Sequence, residues 1–461
     1  MYDFAIIGSG VSGGRIAHEL TAAGARCVLL EAGREYGGKG SPRPFPSNEM
    51  DYSTQLFWGG GLELSSDGRL GVLRARCLGG TSIVNQALLD RFDDLAWDDW
   101  RARTGIGWMS VKDMEPHYAI CEETLDVSEV PNEHYGKNAR IFTRALEKQG
   151  YGWKALHRAQ RDCQLEKGSD CIVCLGGCPR DSKQSSLVTT IRWARKKGLE
   201  VRSEFEVDHV DYGKAGIRVL GSHEGREAEV TAGKVVLAAG ALGNSRILLR
   251  SNLPRKLPAV GTRFSCHPQF MTYAVFDEQI DAHKGAFQAV KSDDRKLREA
   301  GYKLENVYAP PIGTAMLMPG FGPRHHALMR KYRHMASMEV ALRDEASGRI
   351  RVSGGKLVVD KKLTANDERI ARSGLQLVRE LFEAAGAREI IACDQGFGLH
   401  LMGGCPLGTD GGTSVVDPEF QVHEHPGLYA ADSSVFPAAP GINPSFTVMA
   451  LSARAAKGML K

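Results

Sequence analysis

His400 and Asn443 bracket the stretch of this chain richest in chemistry, residues 400–449, HLMGGCPLGTDGGTSVVDPEFQVHEHPGLYAADSSVFPAAPGINPSFTVM. A histidine is neutral and basic near pH 7, so it can take or give a proton there. Asn443 is fixed before Pro444, and after it Phe446, Met449, Ala450 and Ala453 follow helical spacing. A helix beginning at Asn443-Pro444 would aim its first N–H groups at something electron-rich. Asp432, just after the strand-like run LYAA, could reach the same ligand. Two short β-type runs, 413–417 and 427–431, are expected between these residues.

A second group is made of thiols. Cys163 is followed by Cys171, Cys174 and Cys178-Pro179, a CxxCxxxC run. Iron–sulfur ligands are often spaced this way, and with Cys163 the set would also suit a tetrahedral zinc. The competing reading is a thiol-rich loop without metal, and the spacing leaves the three open.

The third group is glycine. A strand (YDFAII) runs into Gly8-Ser9-Gly10-Val11-Ser12-Gly13, then a helical segment, then a strand CVLL ending at Glu31. Gly8 permits the tight turn, Gly10 lets backbone approach a pyrophosphate, and Gly13 lets helix and strand pack closely. Glu31 stands where a carboxylate accepts hydrogen bonds from a ribose diol and would repel a 2′-phosphate. The unit therefore predicts a dinucleotide other than NADP, with FAD and NAD both open.

These residues need elements to hold them. Residues 74–92 (RARCLGGTSIVNQALLDRF) read as a Gly turn opening a buried helix, and 97–125 as a helical pair anchored by Trp100 and Trp108. From Leu199 a strand and a hairpin lead to KVVLAAGALG, which reads as the return of the nucleotide sheet. Residues 270–395 show two-residue alternation and then a long helix, 367–385. Met316, Met318, Met329, Met335 and Met338 give that segment an adaptable apolar character, although ordinary core is the better reading of them.

Composition removes several classes. A net charge of +4 in 461 residues is too small for a nucleic-acid surface. No run of 18 apolar residues offers a transmembrane helix. The strand at the start leaves no room for a signal peptide, so a cytoplasmic protein with reduced thiols is expected. His325, His326, Arg324 and Arg330 form either a solvated loop or a patch for a polar substrate head or a membrane surface.

Taken in order, Gly8 to Gly33, RARCLGGTSIVNQ, WRARTGIGW, VVLAAGALGNSRILL, GTRFSCHP and the C-terminal stretch resemble the glucose–methanol–choline (GMC) family of FAD-dependent oxidoreductases. The likeness is greatest to its long-chain alcohol oxidase and dehydrogenase branch, which shares a CxxCxxGC segment before a lysine, here Lys183. The resemblance implies an α/β fold, α+β overall. A Rossmann-like FAD-binding domain would comprise 1–269, with a cysteine-rich insertion at about 160–183, and return at 396–461 with the catalytic pair. An antiparallel-sheet substrate domain would occupy 270–395. It further implies FAD contacts at Gly8, Gly10, Ser12, Gly13, Glu31, Arg76, Gly79, Gly80, Thr81, Asn85, Val207, Ala239, Gly240, Asp432, Asn443, Pro444 and Ser445. Covalent members carry a histidine where this chain has Val84, so FAD should be noncovalent.

The implied reaction is oxidation of an alcohol by hydride transfer to the flavin, with His400 as base and Asn443 orienting the oxygen. Asn cannot be the base, so the two roles are not interchangeable. The substrate is expected to be apolar, long-chain, sterol-like or aromatic. The electron acceptor is open between O₂, a quinone and a cytochrome, and a cluster at Cys171, Cys174 and Cys178 would favour a protein partner. Lyase and photodecarboxylase chemistry on the same framework are the alternatives.

Overall fold

A computed structural model describes residues 1–38, 41–163, 174–286, 288–393 and 395–461. Two sheets organise them. The first has seven strands, and its parallel centre runs Glu200–Arg202, Cys27–Leu30, Tyr2–Ile7, Arg226–Leu237 and Leu428–Ala430. The run CVLL is buried at every residue, as strands covered on both faces must be. Arg226–Leu237 changes neighbours along its length. Its first half pairs antiparallel with Gly216–His223, and its second half lies between Tyr2–Ile7 and Leu428–Ala430.

Helix Val11–Ala22 follows the first strand, and helix Ser445–Met459 packs on it. The expected run 427–431 is thus a strand in this sheet. The expected strand at 413–417 is absent among the described residues: that segment makes only isolated bridges, Val416 to Leu407 and to Val422. Gly411 and Gly412 before it and Pro418 after it break the ladder on either side.

The second sheet has eight strands in the order Leu70–Val72, Gly396–Gly398, Pro268–Val275, Met335–Leu342, Tyr302–Asn306, Val290–Ser292 and Trp153–Ala155, with Glu389–Ala392 also on Pro268–Val275. Its register assigns its two faces. Tyr302 and Val340 meet Gly374 of the long helix Ala365–Ala384, where a Cβ would lie 2.5 Å from Val340. Leu304 and Leu342 share that apolar face, as does Met338, buried as ordinary core. Thr364 and Asp367 close a capping box at the start of that helix, fixing where its apolar stripe begins.

The opposite face carries Lys303, Glu305, Glu339 and Ala341. It looks toward the segment that ends in Asn443. That segment is braced from behind by Trp100, whose indole N–H donates to Ala438 O at 3.0 Å and whose ring lies 4.6 Å from that of Phe436.

Candidate active site

At the first turn, a Cβ on Gly13 would sit 1.8 Å from Gly8 O, so the helix rests directly on the backbone of the strand that precedes it. Gly10 has no atom within 4 Å of its Cβ position, and that open space is what a pyrophosphate requires. Glu31 is buried and accepts from Ser9 N–H at 3.1 Å, Ser9 O–H at 2.6 Å and Gly33 N–H at 2.8 Å. These use three of the roughly four acceptor positions of a carboxylate, leaving one for a ribose hydroxyl. Burial raises its pKa.

The Gly79-Gly80 turn closes over this unit. Gly79 N–H donates to Ser9 Oγ at 2.8 Å, and a Cβ on Gly80 would lie 2.8 Å from Gly10 Cα. Thr81 then starts a short helix, and Asn85 ends it, accepting from Ala87 N–H at 3.0 Å. A cavity lined by Val11, Ser82, Asn85, Ser186, Ser445 and Met449 joins the first helix, this turn and the C-terminal helix. Pro444 precedes that helix and Ser445 is its first residue. Val84 is buried and offers no nucleophile for a covalent flavin.

Asp432 serves the second approach to the sheet. It accepts from Gly240 N–H at 2.6 Å, Asn244 Nδ2 at 3.0 Å and Ser434 N–H at 2.8 Å. Ala239 N–H donates to Asn244 Oδ1, and Ser12 O–H donates to Ala431 O beside Asp432. Arg76 backs onto Gly33, where a Cβ would lie 2.1 Å from the Arg76 carbonyl carbon, and the Arg76 charge acts on Glu31. Arg76 pairs with Glu206 and stacks on Trp58, and the Val207 carbonyl accepts from Arg246. The chain thus has a cradle that fits a dinucleotide such as FAD, with open space at Gly10 and a free acceptor position on Glu31.

His400 and Asn443 are placed by different partners. Gly441 N–H donates to His267 Nε2 at 2.9 Å, and His267 Nδ1 lies 3.1 Å from His400 Nδ1. With Nε2 accepting, a neutral His267 carries its hydrogen on Nδ1 and donates it to His400. His400 then carries its own on Nε2. Both rings are kept neutral: burial and the Lys303 charge push His400 down to about 3, and burial with the His400 and Lys303 charges holds His267 well below the usual range.

Asn443 Oδ1 accepts from Lys303 Nζ at 2.6 Å, and its Nδ2 donates to Glu305 at 3.3 Å. Lys303 also donates to Glu305 at 2.6 Å, and Gln288 to the other oxygen of Glu305 at 2.7 Å. Glu339 faces Glu305 across the ladder, and burial with that neighbour pushes its carboxyl up to about 8.

His267, Lys303, Glu305 and Glu339 were not among the expected site residues. Their signals are visible in retrospect: a lone charge inside the apolar run MASMEVAL, and two charges spaced by two in YKLEN. Alternation puts Met338, Leu304 and Leu342 on the helix side, while Met271 and Met335 lie on the same face as Glu339.

The cysteines give no support to a metal. Cys163, Cys174 and Cys178 line one cavity with Gln160 and Lys183, while Cys171 lies outside the described residues. Among the described residues no three His, Cys, Asp or Glu side chains converge as a metal site. Lys183 is buried and donates to Cys174 O at 2.6 Å, Ile83 O at 2.6 Å and Asn85 O at 2.5 Å. It ties the cysteine loop to the flavin-side turn. Residues 324–326 are on a short helix, Gly322–Met329, with His325 Nε2 at 2.8 Å from Ala315 O. No described helix is long and apolar enough to cross a membrane.

Comparisons with known proteins bear on the family and the fold. Sequence models of the GMC oxidoreductase N- and C-terminal regions match residues 53–269 and 344–452, and an NAD(P)-binding Rossmann-like model matches 6–65. An uncharacterised GMC-type oxidoreductase of Sinorhizobium fredii is 29% identical over 99% of this chain and 94% of its own. A long-chain-alcohol oxidase of Arabidopsis thaliana is 23% identical over 97% of this chain and 65% of its own. Among solved structures, pyridoxine 4-oxidase from Mesorbium loti superposes with a TM-score of 0.77 at 16% identity, covering 99% of each chain.

Proposed function

The chain belongs to the GMC oxidoreductase family and is an FAD-dependent oxidoreductase, and on that premise we propose that it oxidises the CH–OH group of an alcohol to a carbonyl at His400 and Asn443. Residues 1–269 and 396–461 would hold FAD noncovalently, and the flavin would supply a hydride acceptor there. Residues 270–395 receive the alcohol. O₂ is the electron acceptor in this reading, since two of the named relatives, the Arabidopsis thaliana and Mesorbium loti proteins, are oxidases.

The observation that carries the proposal is that Lys303 holds Asn443 while its charge acts on His400, so that two different oxygen-handling groups share one neighbour. Asn443 is locked by Lys303 and Glu305, and His400 by His267 and Gly441. His400 takes the hydroxyl proton at Nε2 while Asn443 orients the same oxygen. Taking that proton requires the two rings to exchange tautomers, which turns His267 Nε2–H against Gly441 N–H. The exchange forfeits one buried hydrogen bond, about 1–3 kcal/mol. A positioned base contributes about 10²- to 10⁴-fold in rate, so the exchange does not exclude the role.

The test is anaerobic bleaching of the flavin by alcohols, followed by peroxide release in air. His400→Ala should slow bleaching by at least 10²-fold, and Asn443→Ala should slow it without abolishing it. Bleaching at the wild-type rate in His400→Ala would remove His400 from the reaction. Failure of every alcohol to bleach the wild-type flavin would favour a non-oxidative activity.

A further inference from the structure

The sheet face opposite Asn443 holds more polar atoms than the proposed chemistry uses. Lys303 and Glu305 are satisfied by one another, by Asn443 and by Gln288. Glu339 and Gln269 are not. They are 4% and 3% exposed, and the Oε1 of each has no hydrogen-bond partner among the described residues. The Gln269 oxygen is an acceptor, the Glu339 oxygen accepts as a carboxylate or as the carbonyl oxygen of the acid, and both lie on the Asn443 side of the sheet.

The register fixes their spacing. Gln269, Ala341 and Lys303 lie opposite one another in one row, and Glu339 and Glu305 in the next. Gln269 and Glu339 are therefore diagonal neighbours, about 7–8 Å apart at the backbone. Ala341, the small residue between Gln269 and Lys303, leaves a notch beside the lysine that holds Asn443. A molecule whose oxygen meets Asn443 would project its next few atoms over this notch.

We infer that the substrate is a compact polar alcohol carrying, two to four bonds from the carbinol carbon, a group that donates hydrogen bonds to Glu339 and Gln269. A protonated amine and a second hydroxyl share this chemistry. An alkyl chain laid on the same face would leave both oxygens dry and unpaired, and each such loss weakens binding about ten- to a hundredfold. The inference rests on the alcohol-oxidation reading and sets the substrate class within it.

The experiment uses FAD-loaded protein and three alcohols of similar size: 3-amino-1-propanol, 1,3-propanediol and 1-butanol, with 1-octanol as the long-chain probe. Binding is read from the perturbation of the flavin band in the slow His400→Ala protein, and reaction from anaerobic bleaching of the wild type. The amino alcohol or the diol should bind at least 30-fold more tightly than 1-butanol. Glu339→Leu should bring that ratio within about threefold. Glu339→Gln should weaken the amino alcohol far more than the diol if the native group is cationic, and both alike if it is a hydroxyl.

Tighter binding of 1-butanol or 1-octanol in the His400→Ala protein would overturn the inference, even if both bleach the wild-type flavin and so uphold alcohol oxidation. An unchanged ratio in a folded, yellow Glu339→Leu protein would also overturn it. Tight binding of a polar alcohol that never bleaches the flavin would instead remove the oxidation reading and leave the polar subsite standing.

Discussion

Glu339 and Glu305 face one another across an antiparallel pair, a placement that repels if both are ionised. The structure resolves the conflict by giving Glu305 three donors and Glu339 none to its Oε1. Glu339 then keeps its proton up to about pH 8, whereas a carboxyl in the unfolded chain loses it near 4.3. Its contribution is full below the unfolded pKa and is lost as pH rises toward 8. Glu339→Gln imitates the protonated form, so the variant should match wild-type stability at pH 4.5. At pH 9 it should exceed it by at least about 1 kcal/mol. Urea midpoints at the two pH values, at a fixed FAD concentration, check this. Equal midpoints at pH 9 would mean that Glu339 is ionised and satisfied.

At the scale of elements, the site depends on three close approaches: helix Val11–Ala22 on its strand, the Gly79-Gly80 turn on Gly10, and helix Ala365–Ala384 on the second sheet. The first is the least forgiving, since a Cβ on Gly13 meets a backbone oxygen rather than a movable side chain. Gly13→Ala should therefore lower FAD affinity by 10²-fold or more while leaving the second sheet folded. Retention of yellow colour through dilution and ultrafiltration would refute that. This approach was legible in the sequence, because the glycine spacing states it directly, and so was the long helix, from its periodicity and cap. The polar face of the second sheet was not. Its lysine and glutamates come from strands that are apart in sequence and meet only through register, which a single chain read locally does not display. The strand expected at 413–417 failed for a local reason: Gly411, Gly412 and Pro418 flank its β-branched residues and leave only isolated bridges at Val416.

At the scale of the whole molecule, the two rings at the junction of the sheets make folding sensitive to acid. His267 is fully buried and His400 half-buried, and both are neutral, with His400 held near 3 and His267 well below its ordinary value. In the unfolded chain both titrate near 6.5. Between pH 6.5 and the folded values the unfolded state therefore binds protons that the folded state refuses, and stability falls as pH falls. The slope is about 1.4 kcal/mol per pH unit for each ring, so two rings cost about 4 kcal/mol over the 1.5 units down to pH 5. That is a large share of the roughly 5–15 kcal/mol available to a folded protein. Between 6.5 and 5 Glu339 acts in the opposite direction and offsets about one ring, leaving a net loss of about 2 kcal/mol, and below about 4.3 the rings act without it. Replacing one ring by a neutral amide isolates its share. His400→Gln should flatten the dependence of the urea-unfolding free energy on pH between 6.5 and 5 by about 1.4 kcal/mol per unit. The same slope in wild type and variant would mean that His400 is charged in the fold, and the neutral base required for alcohol oxidation would then be absent at that position.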